Sequence, residues 1–511
     1  MTAAQNIVVI NLCRASSFLG LAFGVAIIWQ IARIIYNLFL HPLRKFPGPL
    51  LQRASALPWA IQQVSGTQAF ATQRLHDKYG PVVRITPNHL SFTDPNAWKD
   101  IYGHLVGHKS GWAEMEKLRA LNGPIDDVPR SIITADREEH SRLRRALAHG
   151  FSDSSLRRQE QIVARYVDLL IRRIHDRCAD GTKPLNAEEW YNWTTFDITG
   201  DLIFGQTFGC LDGSAYHPWI ESILNTIRWG ASVTVLAYLG FHWLVQAIYR
   251  CASRGTAVKK LQEYTNAMLK SRLAMNKEQE DLFEGLVKRR VEWKLSFDQL
   301  AANAFILVLA GSETTATALS GATYLLLTNP DVLDRLKQEV RGAFSNVEEI
   351  NISSVNRLSY MLAVQNEALR MYPPVTSNLV RVVPPGGANI AGRFVAGGSY
   401  VEVQNWSINH CKENWVDPWD FNPERFFRGY EKNAQVGGNA LEALQSFSAG
   451  PRNCIGRNLA YAEMRLILAR LVYDFDMKLA EDSKNWIGKQ KAYPLWNRLP
   501  LNVHFTPVER G

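Results

Sequence analysis

The chain of 511 residues is 46% hydrophobic and 21% charged, with 15 Trp, 17 Tyr and 22 Phe. This apolar content is enough for a large core and excludes an intrinsically disordered protein. Lys and Arg exceed Asp and Glu by 57 to 48, a net charge of +9, yet no block of five or six consecutive basic residues occurs. The balance suits an anionic membrane surface or an acidic protein partner, and it argues against nucleic acid.

The cysteines are few and scattered, at positions 13, 178, 210, 251, 411 and 454. None forms a CxxC pair, and no spacing of Cys and His matches a zinc site. In a chain of this size the pattern predicts reduced thiols, with room for one ligand or nucleophile among them.

The first predicted element is an apolar helix over residues 17–40, SFLGLAFGVAIIWQIARIIYNLFL. A helix of that length spans about 36 Å, more than the hydrocarbon core of a bilayer at about 30 Å. A cleaved signal peptide would need a short apolar region and a small-residue cleavage site, whereas this segment leads into HPLRKFPGP. The sequence therefore predicts a retained transmembrane anchor, followed by a Pro/Gly-rich hinge over 41–50.

Basic residues around the anchor predict its orientation. One lies before the segment, at Arg14, and three lie within its end or just after it, at Arg33, Arg44 and Lys45. The positive-inside rule then makes 1–16 a short lumenal N-terminus and 51–511 a cytosolic domain. A cytosolic body should leave its glycosylation sequons unmodified, at Asn192, Asn351 and Asn405.

Beyond the hinge the chain shows no repeat, low-complexity segment or long linker, so it is predicted to form one large domain. Short β signals cluster at 82–93 and 379–404, and most of the remainder has helical periodicity. This distribution predicts a mainly α protein with a small sheet. Residues 229–249 are strongly apolar and aromatic, and they form either core helices or a lip that dips into lipid.

A single long helix is predicted between Ser296 and Asn329. Ser296 and Gln299 match a capping box, and Pro330 ends the apolar run. About 33 residues would span about 50 Å, enough to cross a whole domain. In the middle, AGSETT at 310–315 places side chains that compete with backbone hydrogen bonds. The segment is either a surface turn of the helix or a groove beside a ligand, with a carboxylate and a hydroxyl for proton transfer.

Two charged motifs need partners. NEALR at 366–370 puts Glu367 and Arg370 three residues apart on one helical face, within reach of a bidentate pair. FNPERF at 421–426 places Arg425 in a proline-bounded loop. On its own, a Glu-x-x-Arg pattern is weak and is usually a solvated pair.

The motif with the most chemical content is FSAGPRNCIG, where a Gly/Pro loop leads into an amphipathic helix. Cys454 is thus predicted at or just before a helix N-terminus, where free N–H groups and the helix dipole favour a thiolate. Gly450 and Gly456 allow the backbone to approach something flat or bulky, and Arg452 is a donor beside an anionic group. A nucleophile, a redox cysteine and a metal-bound thiolate all fit this environment.

These three chemistries need different partners. A nucleophile usually has a general base nearby, and a redox cysteine a resolving cysteine, but neither signature accompanies this loop. A thiolate that holds haem iron needs one cysteine, a close backbone and cations for the haem propionates.

The loop resembles the F-x-x-G-x-R-x-C-x-G haem-binding signature of the cytochrome P450 superfamily. Five residues match it, at Phe447, Gly450, Arg452, Cys454 and Gly456. At average residue usage such a match has a chance probability on the order of 10⁻⁴ in a chain this long.

The other motifs follow the order of that family along the chain. AGSET resembles its central helix, and Glu367 with Arg370 and Arg425 resembles its core ion-pair network. REEHSRLRR at 137–145 resembles its proximal helix, except that many members carry Trp where this chain has His140, four residues before Arg144. The resemblance covers essentially everything after the hinge, and the anchor matches microsomal members.

This resemblance implies a single large haem-thiolate fold, mainly α with a small β portion, behind an N-terminal transmembrane helix. Cys454 would be the thiolate ligand of haem b, and its electron donation to the iron would favour cleavage of the O–O bond. Phe447 would pack beside the loop. The haem propionates would be neutralised by charge-assisted hydrogen bonds, from His140, Arg144, Arg381 and Arg452.

The family resemblance also implies the reaction. Gly311 would leave room for dioxygen, and Glu313 and Thr314 would supply protons. One oxygen atom would enter a hydrophobic small molecule by hydroxylation or epoxidation. Electrons would come from NADPH through NADPH–cytochrome P450 reductase, with cytochrome b5 as a further candidate donor. Arg145 and Arg457 either dock the reductase or form a solvated surface.

Location and substrate class follow from the same resemblance. The expected location is the endoplasmic reticulum membrane, single-pass, with the catalytic domain facing the cytosol. Substrate specificity is expected from 103–133, 203–250 and the turn after Arg370. The chain is most similar to filamentous-fungal members that modify secondary metabolites such as terpenoids, polyketides or alkaloids.

Two alternatives stay open. The first is a reductase-independent haem-thiolate peroxygenase or isomerase, against which the Glu313–Thr314 pair and the anchor argue. The second is a non-catalytic haem- or lipid-binding membrane protein.

Overall fold

A computed structural model of the chain describes residues 20–105, 113–275, 281–377, 379–427 and 439–509. The predicted lumenal residues 1–16 and residues 17–19 of the predicted anchor lie outside this part. The helices are α1 (Gly20–Leu40), α2 (Leu50–Ala54), α3 (Leu57–Ser65), α4 (Gln68–Tyr79), α5 (Asn96–Tyr102), α6 (Arg137–Ala148), α7 (Asp153–Arg177), α8 (Ala187–Phe204), α9 (Cys210–Gly213), α10 (Pro218–Tyr238), α11 (His242–Ala252), α12 (Thr256–Ala274), α13 (Glu284–Arg289), α14 (Phe297–Thr328), α15 (Pro330–Ala343), α16 (Ile352–Val355), α17 (Ser359–Met371), α18 (Asn405–Asn409) and α19 (Arg457–Asp474). The strands are β1 (Val82–Thr86), β2 (His89–Phe92), β3 (Glu116–Lys117), β4 (Leu185–Asn186), β5 (Arg381–Val382), β6 (Ala388–Ile390), β7 (Arg393–Val395), β8 (Tyr400–Val403), β9 (Phe475–Leu479), β10 (Lys491–Ala492), β11 (Trp496–Asn497) and β12 (Asn502–Pro507).

Two helices are long and apolar enough to cross a membrane, and their burial separates them. In α1 the mean hydropathy reaches 1.6 and 6% of the apolar window is buried. In α14 the corresponding window is 67% buried, as expected for the core helix of a globular domain. The helix α1 is therefore the element that fits a membrane anchor.

The predicted hinge after the anchor packs against the body. Leu43 is fully buried. In β1, Arg84 Nη2 donates to the carbonyl of Asn37 over 3.0 Å, and the Arg84 backbone N–H donates to the carbonyl of Pro47 over 2.7 Å. A Cβ on Gly48 would lie 2.4 Å from the carbonyl oxygen of Arg84, so this approach needs a glycine. The segment forms a fixed joint between α1 and the sheet.

The β signals at 82–93 and 379–404 meet in one five-stranded sheet of order β1-β2-β8-β5-β3. β1 and β2 form an antiparallel pair, and β2 pairs with β8 in parallel, which brings the two distant regions together. β5 then pairs antiparallel with β8, and β3 adds at the edge by pairing with β5. The predicted small sheet is confirmed, and its far edge carries residues of the candidate site.

The helix α14 runs through the core. Ser296 and Gln299 form the predicted capping box at its start, and Pro330 begins the next helix. α8 packs along its middle, where the Thr195 hydroxyl donates to the carbonyl of Ser312 over 3.2 Å. Because α14 is apolar on nearly all sides, its neighbours bury it along most of its length.

The predicted ion-pair network is present and fully buried. Arg370 Nε and Nη2 each donate to the Glu367 carboxylate over 2.8 Å, and Arg425 Nε donates to the same carboxylate over 3.0 Å. Arg370 also donates to the backbone carbonyls of Asn409 and Pro418. The network therefore ties α17 to the segment that leads toward the cysteine loop.

The helical content of 59%, with few strands, confirms the predicted fold class. The described cysteines, at positions 178, 210, 251, 411 and 454, are all free thiols, in agreement with the predicted absence of disulfides. Asn192 and Asn405 are buried, with their amide nitrogens hydrogen-bonded inside the fold. Neither side chain is accessible to glycosylation in the folded chain.

Candidate active site

The cysteine loop is a tight turn placed at the start of α19. The Cys454 N–H donates to the carbonyl of Phe447 over 2.9 Å, and the Asn453 N–H donates to the carbonyl of Gly450 over 3.1 Å. Ser448 and Gly450 have left-handed backbones, with φ of 59° and 72°. The α19 helix begins at Arg457 with Gly456 as its N-cap, so the predicted place of Cys454 just before a helix is confirmed.

The two glycines of the loop, Gly450 and Gly456, have different surroundings in the structure. A Cβ on Gly450 would lie 1.8 Å from the carbonyl oxygen of Tyr102, so the close approach is to protein backbone at the end of α5. A Cβ on Gly456 would make ordinary contacts, 3.7 Å from Phe151 and 3.9 Å from the Cys454 sulfur. Gly450 thus has a structural role, because its contact with Tyr102 shapes the loop around Cys454.

Burial raises the pKa of the Cys454 thiol, and the Gly456 N–H together with the charges of Arg144 and Arg457 acts in the opposite direction. Because Cys454 is itself exposed in this structure, the raised pKa does not overturn the expected thiolate, which the Gly456 N–H and the two arginines favour. A thiol with a raised pKa is a poor nucleophile and a poor redox centre. A metal, in contrast, deprotonates the thiol that binds it.

Phe447 and Arg144 support the loop from two sides. The Phe447 ring lies 5.1 Å from the Tyr461 ring between centroids. Arg144 in α6 donates to both the backbone carbonyl and the side-chain oxygen of Asn453. In this structure Arg144 thus braces the residue next to Cys454.

The imidazole of His140 is buried in α6, and the positive charges of four side chains act on it. Burial first, and then these positive charges, lower the pKa of His140 to about 3. The cations belong to four separate segments, at Arg452, Lys117, Arg144 and Arg381. The structure therefore brings together every predicted propionate contact and adds Lys117.

The cluster carries more positive than negative charge. Arg452 Nε donates to Glu114 over 2.7 Å, and Arg381 lies 5.0 Å from the centre of the Tyr102 ring. Within the described ranges, Glu114 is the carboxylate that forms an ion pair in this cluster. Uncompensated buried cations are costly, so the arrangement fits a bound dianion. The two propionates of haem, beside a free cysteine, meet that requirement.

Lys117 is a site residue that the sequence did not indicate. It lies on the two-residue strand β3, directly opposite Arg381 of β5. An isolated lysine in a long loop has no signature, and its neighbour is more than 260 positions away. Only the strand pairing reveals it.

The middle of α14 presents two different faces. Ala310 is exposed although its helix is mostly buried, and the Thr314 hydroxyl, one turn later, donates to the Ala310 carbonyl over 2.6 Å. A Cβ on Gly311 would lie 2.8 Å from Thr199 Cγ2, so the missing side chain accommodates α8. The expectation that Gly311 leaves room for dioxygen is wrong. Open space lies instead on the Ala310–Thr314 face.

Glu313 points away from that face and into a buried ion pair. Arg498 Nη2, from the segment before β12, donates to Glu313 Oε2 over 2.7 Å. Burial raises the pKa of Glu313, and the charge of Arg498 lowers it. The structure thus places the two predicted proton donors side by side in the chain, with Thr314 on the open face and Glu313 behind it.

The comparisons with known proteins decide the family. The family model described as cytochrome P450 matches residues 49–502. The chain belongs to the cytochrome P450 family. It is therefore a haem-iron monooxygenase that acts on hydrophobic small molecules and receives electrons from NADPH through a reductase.

Relatives of this P450 include enzymes from several fungi. It is 45% identical over 490 residues to cytochrome P450 monooxygenase tpeC of Talaromyces stipitatus, covering 96% of this chain and 95% of the relative. It is 40% identical to trichothecene C-15 hydroxylase of Fusarium sporotrichioides, with 96% and 98% covered. It is 39% identical to averantin hydroxylase of Dothistroma septosporum, with 95% and 90% covered.

Proposed function

We propose that this P450 is a membrane-anchored tailoring enzyme of fungal secondary metabolism that hydroxylates or epoxidises a terpenoid, polyketide or alkaloid intermediate. The observation that carries the proposal is the near full-length similarity to enzymes named trichothecene C-15 hydroxylase and averantin hydroxylase. The similarity covers 96% and 95% of this chain and 98% and 90% of the two relatives, respectively.

Cys454 is proposed as the thiolate ligand of the haem iron, in a loop that Phe447, Gly450 and Gly456 shape. The cluster has more positive than negative charge, which supports a role for its members in holding the haem propionates. These members are Arg452, Arg381, Lys117, Arg144 and His140. When bound, haem supplies the activation of dioxygen with electrons delivered by the reductase. The ion pair with Glu114 would keep Arg452 oriented while it holds this charge.

On the opposite side, Ala310 and Thr314 are proposed to face the substrate. Ala310 leaves an apolar wall, and the Thr314 hydroxyl can exchange its bond to the Ala310 carbonyl for one to a group in the site. Glu313 is proposed to hold the proton that is delivered through Thr314. Its burial, which raises the pKa of the carboxyl, supports this role.

An apolar surface near the anchor supports the proposed location in the endoplasmic reticulum membrane, with the body facing the cytosol. The rings of Trp59 in α3 and Tyr238 in α10 lie 4.2 Å apart, so these helices are neighbours. Large apolar side chains are exposed on and next to them, at Leu50, Leu51, Leu57, Ile61, Trp229, Phe241 and Trp243. We propose that this surface dips into the membrane and admits the substrate, and that cytochrome b5 is a second electron donor.

Expression of the full chain with a fungal NADPH–cytochrome P450 reductase tests the proposal. The reduced protein should give the carbon-monoxide difference band of thiolate-ligated haem. Fed with terpenoid, polyketide and alkaloid extracts, the cells should form a product heavier by one oxygen atom. A flat spectrum with Cys454 intact, or oxidation that needs peroxide but neither NADPH nor reductase, would overturn it.

A further inference from the structure

Two buried carboxylates share one arginine behind the Ala310–Thr314 face. Arg498 Nη2 donates to Glu313 Oε2 over 2.7 Å, and Arg498 Nε lies 3.3 Å from Oε1 of Glu188 in the first turn of α8. The side chains of Glu313 and Arg498 are 3% and 5% exposed, whereas Glu188 is 13% exposed. Glu188 is therefore the acid that reaches toward solvent, and Glu313 the acid next to Thr314.

Asn192 and Tyr216 complete the cluster. Asn192 Nδ2 donates to Glu188 Oε1 over 2.6 Å and to the Tyr216 hydroxyl over 3.2 Å. The Asn192 side-chain oxygen accepts from Arg498 Nη2 over 3.1 Å. Asn192 lies one helical turn after Glu188, so α8 fixes the position of Glu188 relative to the shared arginine.

The charges of the cluster do not balance when both acids are ionised. The positive charge of one guanidinium compensates the negative charge of one carboxylate. A second carboxylate in the same buried site has no such partner, so its protonated, neutral form is favoured. The pKa of Glu188 is raised to about 7. Burial is the largest cause, the charges of Glu313 and Glu189 act in the same direction, and the charge of Arg498 acts against them. The remaining titratable groups that face the cluster are the buried hydroxyls of Tyr216 and Tyr372.

We propose that Glu188 is a positioning residue for Glu313, and that the two acids with Arg498 hold one exchangeable proton for the reaction. At rest, Glu313 is ionised and paired with Arg498 over 2.7 Å, while Glu188, which lies 3.3 Å from Arg498 Nε, carries the proton. When the reaction draws a proton, Glu188 passes its proton to Glu313 and takes Arg498 as its partner, and Glu313 then gives the proton to the active site.

The proton balance closes over one cycle. Arg498 then returns to Glu313 and Glu188 takes up a proton from solvent, which restores the resting state, so one proton enters from solvent for each one delivered. The cluster is neutral before and after delivery, which avoids an isolated buried charge at either stage. The inference rests on the proposed role of Glu313 and extends it to Glu188 and Arg498.

The test uses the full-length haem-loaded protein in phospholipid vesicles with reductase. Infrared difference titration from about pH 5 to about pH 9 follows the carboxylic-acid C=O band, and the part of that band that belongs to the cluster is the part lost in Glu313→Gln. NADPH-driven reduction of oxygen to water, without added substrate, gives a pH profile. Glu348→Gln is the control, because Glu348 is exposed and lies outside the cluster.

In Glu188→Gln, Arg498 is committed to Glu313, which then stays ionised at neutral pH. The cluster band should disappear near pH 7, and water formation should fall severalfold and recover as the pH is lowered. Arg498→Gln should give the opposite result, with two protonated carboxyls and about twice the band. Glu348→Gln should match the wild type in both measurements.

A band and a pH profile in Glu188→Gln that match the wild type would overturn the inference. If Glu188→Gln fails to incorporate haem, Glu188→Asp and Arg498→Gln decide through the same band, and an unchanged band in Arg498→Gln overturns it. Unchanged water formation in Glu313→Gln removes the proposed role of Glu313 and this inference together. A slow Glu313→Gln beside a normal Glu188→Gln removes this inference alone.

Discussion

Lys117 and Arg381 stand directly opposite each other in the antiparallel β3–β5 pair, so two cationic side chains occupy one register position. Burial first, and then the charges of Arg381 and Arg452, lower the pKa of Lys117 to about 7. Like charges in such a pair destabilise a sheet unless an anion compensates them. Their juxtaposition marks where the propionates of the cofactor are expected.

Replacing Lys117 with glutamine should affect the haem-free and haem-loaded proteins in opposite directions. The haem-free form should gain about 0.5–1 kcal/mol of unfolding free energy, because the repulsion with Arg381 is removed. The loaded form should lose haem faster to an excess of a haem-scavenging protein, followed by the Soret band. Lys183→Gln, on an exposed loop, is the control, and haem loss as slow as in that control would contradict the role of Lys117.

Replacing Cys454 with serine should abolish the carbon-monoxide band of thiolate-ligated haem. A hydroxyl is a far weaker ligand than a thiolate, and no other described cysteine lies in the loop. Cys251→Ser removes an exposed thiol on α11 and should leave the spectrum unchanged. A normal band in Cys454→Ser would mean that another residue binds the iron.

Glu463, in α19, should make the stability of the protein depend on pH. Burial raises the pKa of its carboxyl to about 8, against a hydrogen bond with Thr315. The unfolded chain releases this proton near the ordinary value of 4.5, so the folded state binds more protons between the two values. The unfolding free energy should therefore fall as the pH rises from about 4.5 to about 8, by up to about 1.4 kcal/mol per pH unit.

Denaturant unfolding at a series of pH values measures this slope. Glu463→Gln should lack the slope and be more stable than the wild type above about pH 8, because its neutral amide never has to lose a buried proton. The control is Glu348→Gln, at an exposed position. A slope in Glu463→Gln equal to that of the wild type would assign the effect to another group.

Replacing Glu367 with glutamine should cost about 3–5 kcal/mol of unfolding free energy, because Arg370 and Arg425 would remain buried without their shared carboxylate. The expected result is a low yield of folded protein and a lower denaturant midpoint. Asp126→Asn breaks an ion pair with Arg119 whose two side chains are more than 60% exposed, and it should cost under about 1 kcal/mol. Equal effects of the two substitutions would contradict the structural role of the buried network.

The stability of a truncated protein should depend strongly on the residue at which the chain is cut to remove the anchor. A chain that begins at residue 36 keeps Asn37, whose amide donates to the Ala54 carbonyl over 2.8 Å, and it keeps buried Leu43. A chain that begins at residue 51 loses both and leaves Arg84 without its partner at Asn37. Its unfolding free energy should be lower by about 2 kcal/mol or more from the loss of Leu43 alone. Thermal unfolding of the two truncated proteins measures the difference, and equal midpoints would show that the joint contributes nothing.

Features with a local sequence signal were predictable. The capping box of α14, the place of Cys454 before α19 and the Glu367–Arg370 pair each depend on residues within one or two turns of one another. Four of the five strands of the main sheet were also recognised, because alternation of side chains along a strand is a local property, whereas the two-residue strand β3 was not. Their order in the sheet was not, since it depends on pairings across about 300 residues.

The missed features arise from distant parts of the chain that fold together. Lys117 is recognised as a site residue only because it pairs with Arg381 across two strands. Glu313 forms its ion pair with Arg498, 185 positions later. Gly311 and Gly450 looked like openings for small molecules, yet the space they leave is filled by Thr199 and by the backbone of Tyr102. A glycine in a sequence shows that something comes close but does not show what it is.

The five-stranded sheet links two functions that the sequence keeps apart. At its first strand, Arg84 holds the joint at Asn37 and Pro47, and at its last strands Arg381 and Lys117 face the predicted propionates. Five strands at about 4.8 Å spacing put these edges about 19 Å apart. In the proposed membrane-bound and haem-loaded protein, one sheet would therefore connect the joint at α1 to the residues proposed to hold the propionates, so a change in the orientation of one should be reported by a probe on the other.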